Sequence, residues 1–198
     1  VAAGTCIDSR ETAQGSCRFR TTEDLTVLPM TLNRVVTLDE GQQPRLAFEL
    51  HFELQGLTLA QLPFERLRLY IGGEYADASD LYYLLCHRLR ALTLIADGER
   101  SLPVAAVAAS GLEPAQSLFG RQRGMMPAFD LIHQYFLCPQ KYLFVDIDLR
   151  SWRQRGDSSR FALRFQCDKP SFSLPELGRE HFVLHAVPAV NLFEQKSR

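Results

Sequence analysis

The chain has 198 residues, 46% hydrophobic and 23% charged, with 22 Lys+Arg against 23 Asp+Glu. A formal charge of −1 excludes a broadly basic nucleic-acid binder, and no apolar run approaches the roughly 18 residues that span a membrane. At about 150 residues per domain this is one large domain or two small ones, long enough to bury about 70% of its unfolded surface without a disulfide or a metal.

Basic residues are lopsided, with 19 Arg and three Lys (Lys141, Lys169, Lys196). A GC-rich genome accounts for the bias, and arginine's planar fork also suits polar interfaces. The five cysteines (Cys6, Cys17, Cys86, Cys138, Cys167) are odd in number and form no CxxC. Several sit in apolar patterns, where a free thiol behaves as a small hydrophobe. The expected compartment is reducing, hence cytoplasmic. The chain opens Val-Ala-Ala-Gly and has no signal peptide, so it reads as part of a longer protein.

In chain order, Thr5 to Gly15 is polar and irregular. Phe19 to Leu38 alternates loosely and predicts strands broken near Pro29, followed by a turn cluster over Asp39 to Pro44. The clearest strand comes next. Leu46, Phe48, Leu50, Phe52 and Leu54 point one way and Ala47, Glu49, His51 and Glu53 the other, the period of a half-buried antiparallel strand. Gly56 and Pro63 bracket a loop, and Leu67 to Ile71 forms a second strand ending at Gly72-Gly73.

Ala78 to Arg88 places Leu81, Leu84, Leu85 and Arg88 at helical spacing, with Ser79 or Asp80 as N-cap. Leu92 to Ile95 is a strand stopping at the hairpin signal Asp97-Gly98. From Pro103 to Pro127 the pattern weakens, punctuated by Gly111, Pro114, Gly120 and Gly124 and locally basic at Arg121 and Arg123. This connection is the expected subdomain boundary, dividing the chain into β-rich halves 1–110 and 111–198 with one short helix each. The second helix covers Ala128 to Leu137 and is ended by Pro139. Strands follow at Tyr142 to Leu149, at Phe161 to Cys167 and, briefly, at Phe182 to Leu184. The predicted class is mainly β (α+β), an antiparallel β-sandwich-like architecture with short amphipathic helices.

Candidate chemistry is sparse. His181 and His185 stand at i, i+4, but the intervening Phe-Val-Leu favours a strand, on which they lie about 13 Å apart. A core or solvated histidine outweighs a metal ligand about ten to one here. Asp146 and Asp148 share one strand face about 7 Å apart, a spacing that could serve a metal or glycosyl-transfer site, though a solvated face outweighs it about ten to one. Gly156-Asp157-Ser158-Ser159 lacks the strand and helix that make a nucleophile elbow. Gly72-Gly73 is a turn rather than a phosphate loop. Two features point to interaction: the close pairs Arg18/Arg20, Arg66/Arg68, Arg88/Arg90 and Arg121/Arg123, and the apolar Leu192-Phe193 of the tail segment Asn191-Leu192-Phe193-Glu194. No catalytic, cofactor or metal residues are assigned.

Four segments then resemble a known family. Cys17-Arg18-Phe19-Arg20-Thr21-Thr22 with Val27-Leu28-Pro29 is similar to the opening motif of the type VI secretion baseplate family TssF (VasA/ImpG). Leu67 to Gly73, followed by Ala78 and Leu81-Tyr82-Tyr83-Leu84-Leu85, resembles its central strand–turn–helix. Tyr135 to Phe144 resembles its Tyr-Phe, Pro, Lys, Phe block, and Val187 to Phe193 its Pro-Asn-Leu-Phe segment. Cys138 departs from the family, where aromatic residues are commoner.

The resemblance implies an internal fragment of a longer TssF-like chain and a non-enzymatic wedge subunit. It implies assembly with TssG, with TssK and TssE, around a VgrG hub, and with further copies of itself, with no nucleic acid, no membrane insertion and no cofactor. The alternative readings are a metal-dependent hydrolase using Asp146, Asp148 and a histidine, and a carbohydrate-binding β-sandwich in which Trp152 is the only tryptophan.

Overall fold

The strictly alternating segment sits at the heart of the fold. In a computed structural model, which describes residues 1–11, 13, 15–38, 45–62, 65–119 and 126–192, it is a ten-residue strand flanked on both sides. Among the described residues the elements run β1 (Cys6–Asp8), β2 (Arg18–Thr21), β3 (Met30–Leu38), β4 (Arg45–Leu54), β5 (Arg66–Ile71), α1 (Tyr75–His87), β6 (Leu89–Ile95), β7 (Glu99–Leu102), β8 (Val107–Ala109), α2 (Pro127–Leu137), β9 (Phe144–Asp148), β10 (Arg160–Asp168), β11 (Phe182–Val183) and β12 (Ala189–Val190). They form two compact units. One comprises Leu28–Ser110 and Leu143–Leu184; the other comprises Val1–Val27, Gly111–Tyr142 and His185–Arg198.

The first unit contains a five-stranded sheet in the order β3-β4-β10-β6-β7 and a four-stranded sheet in the order β11-β5-β9-β8, with antiparallel pairing throughout. The period-two pattern dictates which side chains meet. Phe48, Leu50 and Phe52 stand opposite Phe165, Leu163 and Phe161, all essentially buried. Phe48 stacks on Phe165 with centroids 5.2 Å apart, and Phe52 on Phe161 at 4.8 Å. Leu92 and Leu94 extend this face through β6.

The other sheet supplies Leu67, Leu69, Ile71, Val145 and Ile147 to the same core. Phe182 of β11 reaches within 5.6 Å of Phe48, joining the two faces. Helix α1 adds Ala78, Leu81, Leu84 and Leu85 and touches strands of both sheets. Each such side chain contributes about 1.5–3 kcal/mol on leaving water. This unit is a sandwich with one helix packing its apolar face against the core.

Gly72-Gly73 is the turn expected of it, for a reason beyond loop chemistry. Gly72 N–H donates to His181 O (3.1 Å), and a Cβ on Gly72 would lie 2.5 Å from Glu180 O. Gly73 has φ +103°, in the left-handed region that glycine tolerates. The close approach needs the first glycine and the backbone reversal the second.

The helix start differs from expectation. Glu74 is the N-cap, and Ser79 lies inside α1 with its Oγ donating to Tyr75 O (2.7 Å). The glycine turn delivers the chain into helical geometry sooner than the polar residues alone suggest. Arg88 closes the helix, its N–H donating to Leu84 O. The Asp97-Gly98 turn joins β6 to β7, a strand whose mostly exposed Glu-Arg-Ser-Leu carries no hydrophobic signal. The weakly patterned stretch after Pro103 holds β8, paired to β9. The expected turns and loop residues at 39–44, Pro63, Gly120 and Gly124 lie outside the described residues.

The second unit is built around the small sheet β1-β2-β12. Here the opening and closing family-like segments pair with each other: Thr21 faces Ala189, Arg20 faces Val190, and Thr22 N–H donates to Pro188 O. The segment read as irregular contains β1, which pairs with β2 from Cys6 to Asp8. All three of its residues are exposed, so no alternation marks it.

Candidate interaction surface

The two aspartates of β9 share a face as expected, and arginines occupy both. Asp146 lies directly across from Arg68, which donates from Nε to Oδ1 (2.8 Å) and from Nη2 to Oδ2 (3.1 Å). Arg66 reaches the same carboxylate at 3.4 Å, and Arg68 also donates to Ser110 Oγ at 2.8 Å. Asp148 accepts from Arg150 Nε (2.9 Å) and from the Arg150 backbone N–H (2.9 Å). These bonds hold its carboxyl down at about 2. Asp146 is thus engaged across the strands of an antiparallel sheet, and Asp148 locally by the residue two positions on.

The outer face of the five-stranded sheet repeats the device. Arg164 stands opposite Glu49 and donates to it at 2.7 Å, while also pairing with Glu99 at 3.1 Å. Arg160 stands opposite Glu53 at 2.8 Å. His51 Nε2 lies 2.8 Å from Glu49. At the edge of α1, Arg88 sits over the Tyr83 ring, and Arg90 forks onto Asp168 at 2.8 Å. In the other unit Arg18 pairs with Asp8 at 3.2 Å. The arginine pairs therefore divide. Arg18, Arg66, Arg68 and Arg90 are engaged by carboxylates of their own unit, Arg20 is exposed, and Arg121 and Arg123 lie outside the described residues, as do Phe193 and Glu194.

The remaining sequence candidates are structural. His181 is buried in a 3-10 turn, its Nδ1 accepting from Gly178 N–H at 3.0 Å. Burial lowers the His185 pKa below the usual histidine value. Ser158 caps the start of β10, accepting from Arg160 N–H at 3.1 Å. Trp152 is buried against Phe161 and under the Arg155 guanidinium, which removes it as a sugar platform. Burial pushes the Cys167 thiol up to about 12 and the Cys86 thiol up to about 11, so both behave as hydrophobes at neutral pH.

One surface was not singled out in the sequence. Helix α2 turns a polar residue inward: Gln134 is its one buried residue. Gln134 Oε1 accepts from Lys141 Nζ (2.6 Å) and from Leu118 N–H (2.9 Å), and its Nε2 donates to Asp130 Oδ2 (2.7 Å) and Ser117 Oγ (3.2 Å). Lys141 is itself only 1% exposed, beneath the Tyr142 ring. Burial lowers its pKa, against the opposing pull of Asp130 and Glu23.

Facing outward on the same helix are Phe129 (66% exposed), Ile132 (54%) and Phe136 (80%), flanked by Met126, Tyr135 and Leu137. The signal that finds this face is a short helix apolar nearly all round, which needs cover on more than one side.

Among the described residues the geometry is that of a packed scaffold with intramolecular charge pairs and an exposed apolar face on α2. The family model described as "Type VI secretion system, TssF" matches residues 1–198. The chain belongs to the TssF family. Among solved structures, it is similar to a chain of the type VI secretion system TssK–TssF–TssG baseplate subcomplex determined by cryo-electron microscopy. The identity is 25% and the TM-score 0.84, covering 98% of this chain and 38% of that one. The TssF-like region described here thus spans well under half the length of that relative. None of the curated proteins matches the sequence. Among the described residues no helix is long and apolar enough to cross a membrane.

Proposed function

We propose that the chain is a non-catalytic structural module of a type VI secretion baseplate wedge, working in the cytoplasm through contacts with TssG and TssK. The observation that carries this is the full-length match to the TssF family together with likeness to a chain of a complex that contains both partners. The finer partners of this reading are TssE, the VgrG hub and further copies of the same subunit.

The physical character of the molecule supports a load-transmitting role. In the larger unit aromatic pairs stack along one sheet, Phe182 of the other sheet packs on Phe48, and the sheet faces are tied by cross-strand arginine–carboxylate pairs. That unit moves as a piece because a close-packed interior deforms little. The test is co-purification of this chain, and of the longer polypeptide carrying it, with TssG and with TssK, the mass of each complex read by light scattering. Complexes of defined mass are expected. Absence of binding by both forms to both partners removes the reading.

A further inference from the structure

We propose that the smaller unit is part of a domain whose core is completed by the same polypeptide outside residues 1–198, and that apolar segments of that remainder cover the outward face of α2. This rests on the family reading, which makes the chain a piece of a longer TssF polypeptide. Three observations favour cover from within the polypeptide.

The first is the core. Every buried residue of the hydrophobic core lies in the larger unit. Among the described residues, the buried side chains of the smaller unit are Thr21, Ser117, Gln134, Lys141 and one leucine, Leu118. A domain has a hydrophobic core of its own, and burial of apolar surface is the dominant favourable term in folding. A unit with one buried leucine lacks that term. The network around Gln134 does not replace it, because a buried ammonium and its acceptors roughly offset their own desolvation.

The second is the apolar surface that a core would use. Of the fifteen large hydrophobic side chains exposed among the described residues, eleven belong to the smaller unit, which holds under half of the chain. They concentrate on α2, where Phe129, Ile132 and Phe136 stand at i, i+3 and i+7. Each contributes about 1.5–3 kcal/mol when fully buried. This seam contains no Asp, Glu, Lys or Arg, and Asp130 is turned inward to Gln134, so the cover is apolar.

The third is tethering. Val1–Val27 and His185–Arg198 both belong to this unit, so sequence joined to either side of the region attaches to the unit that carries α2. The related baseplate chain is more than twice as long as the stretch matched here. A covering segment on a short flexible linker acts at an effective concentration of about millimolar, whereas a separate molecule is recruited by mass action. A unit without a core needs its cover as it folds, before any other molecule binds. That selects the tethered source over a second copy or another subunit.

The test uses the longer TssF polypeptide by itself, without TssG or TssK. Phe136 is replaced by the photo-cross-linking analogue p-benzoylphenylalanine, and in a second variant Phe129 is replaced in the same way. After irradiation, denaturing electrophoresis gives the mass of each product and peptide mapping gives the segment joined. The expected product has the mass of one chain and joins α2 to a peptide outside residues 1–198. Phe136→Glu in the same polypeptide is expected to lower the urea midpoint by at least about 0.5 M, because it drives a charge into a closed apolar contact.

A product of twice the chain mass assigns the face to a second copy and overturns the proposal. So do a product formed only when TssG or TssK is added, a one-chain product confined to residues 1–198, and no product from either variant. An unchanged midpoint for Phe136→Glu overturns it independently of any cross-link. Each of these results leaves the scaffold reading in place, since co-purification tests that reading separately.

Discussion

Gln134→Leu is expected to cost far more than its size suggests, and a second substitution is expected to give part of the loss back. Gln134 is the hub of the inward side of α2, with two donors converging on Oε1 and two acceptors on Nε2. Leucine leaves the Leu118 N–H unpaired, at about 1–3 kcal/mol, and strips a buried ammonium of its acceptor. Breaking a buried charge interaction from one side costs about 3–5 kcal/mol, so the single variant is expected in that range.

Lys141→Met behaves differently. It forfeits a charge-assisted hydrogen bond (about 1.5–3 kcal/mol) and the contact with the Tyr142 ring (about 0.5–2 kcal/mol), but it removes a desolvation penalty of several kcal/mol. The net is expected to fall under about 2 kcal/mol. The double variant no longer buries an ammonium without its acceptor, though the Leu118 amide, Asp130 Oδ2 and Ser117 Oγ still lack the Gln134 partner, and it is expected to be at least about 1 kcal/mol more stable than Gln134→Leu alone, a coupling measurable in a double-mutant cycle.

Urea unfolding by far-UV circular dichroism gives the free energies, and hydrogen exchange at the Leu118 amide reports the site directly. Trp152 fluorescence reports the other unit and serves as a control. Burial lowers the Lys141 pKa, so the unfolded chain binds that proton more tightly. Stability therefore rises with pH between the depressed value and about 10.4. Lys141→Met is expected to flatten that rise. A Gln134→Leu variant within 1 kcal/mol of wild type, or a double variant no better than the single, refutes the reasoning.

Two further outcomes follow from local geometry. Gly72→Ala drives a methyl to within 2.5 Å of the Glu180 carbonyl. Overpacking against rigid backbone is expected to cost about 1–3 kcal/mol, read as a lower urea midpoint with unchanged slope; an unaffected midpoint contradicts it. Asp148 is expected to titrate at about 2 in a carbon-detected NMR titration. Arg150→Ala should return it toward about 3.9. Because the folded value is depressed, the pair's contribution is present above the ordinary carboxylate range and fades as pH falls toward 2. An unchanged Asp148 midpoint in the variant contradicts the assignment of Arg150 as its cause.

What could be read from the sequence is what burial on one side imposes. β4 and β10 alternate strictly because one face of each enters the core and the other meets arginines and carboxylates, so their residues betray their faces. α1 shows its inward leucines for the same reason. β1, β7 and β8 were not legible: each is short, at a sheet edge and largely exposed, so no face is selected. Pairing was not legible either. The arginine doublets are visible in the sequence, but Arg68 and Arg90 find their carboxylate partners 78 residues away along the chain, and Arg164, outside any doublet, finds Glu49 115 residues away. The paired aspartates of β9 fit a solvated face better than a metal site, but their partners, Arg68 across the sheet for Asp146 and Arg150 for Asp148, show only in the structure. The 1–110 and 111–198 halves rest on a weak pattern, and the chain passes between its two compact units at Val27–Leu28, Ser110–Gly111, Tyr142–Leu143 and Leu184–His185.

The contrast between the two helices carries the functional argument furthest. α1 and α2 both carry an Asp-Leu step in a short apolar run, Asp80-Leu81 and Asp130-Leu131, and sequence periodicity treats them alike. α1 spends its leucines inward, touching both sheets. α2 spends a glutamine inward and leaves two phenylalanines and an isoleucine in water. A helix held only by its apolar face would turn that face toward its own unit. α2 cannot, because Lys141 and the Leu118 amide require the Gln134 oxygen, and releasing them costs more than about 3 kcal/mol. The buried polar network thus fixes the rotation of the helix about its axis and keeps the apolar seam pointing away. Such an arrangement is costly for a unit that stands alone and useful for one completed by more of its polypeptide, since the surface is already oriented before its cover arrives and little ordering entropy remains to oppose docking.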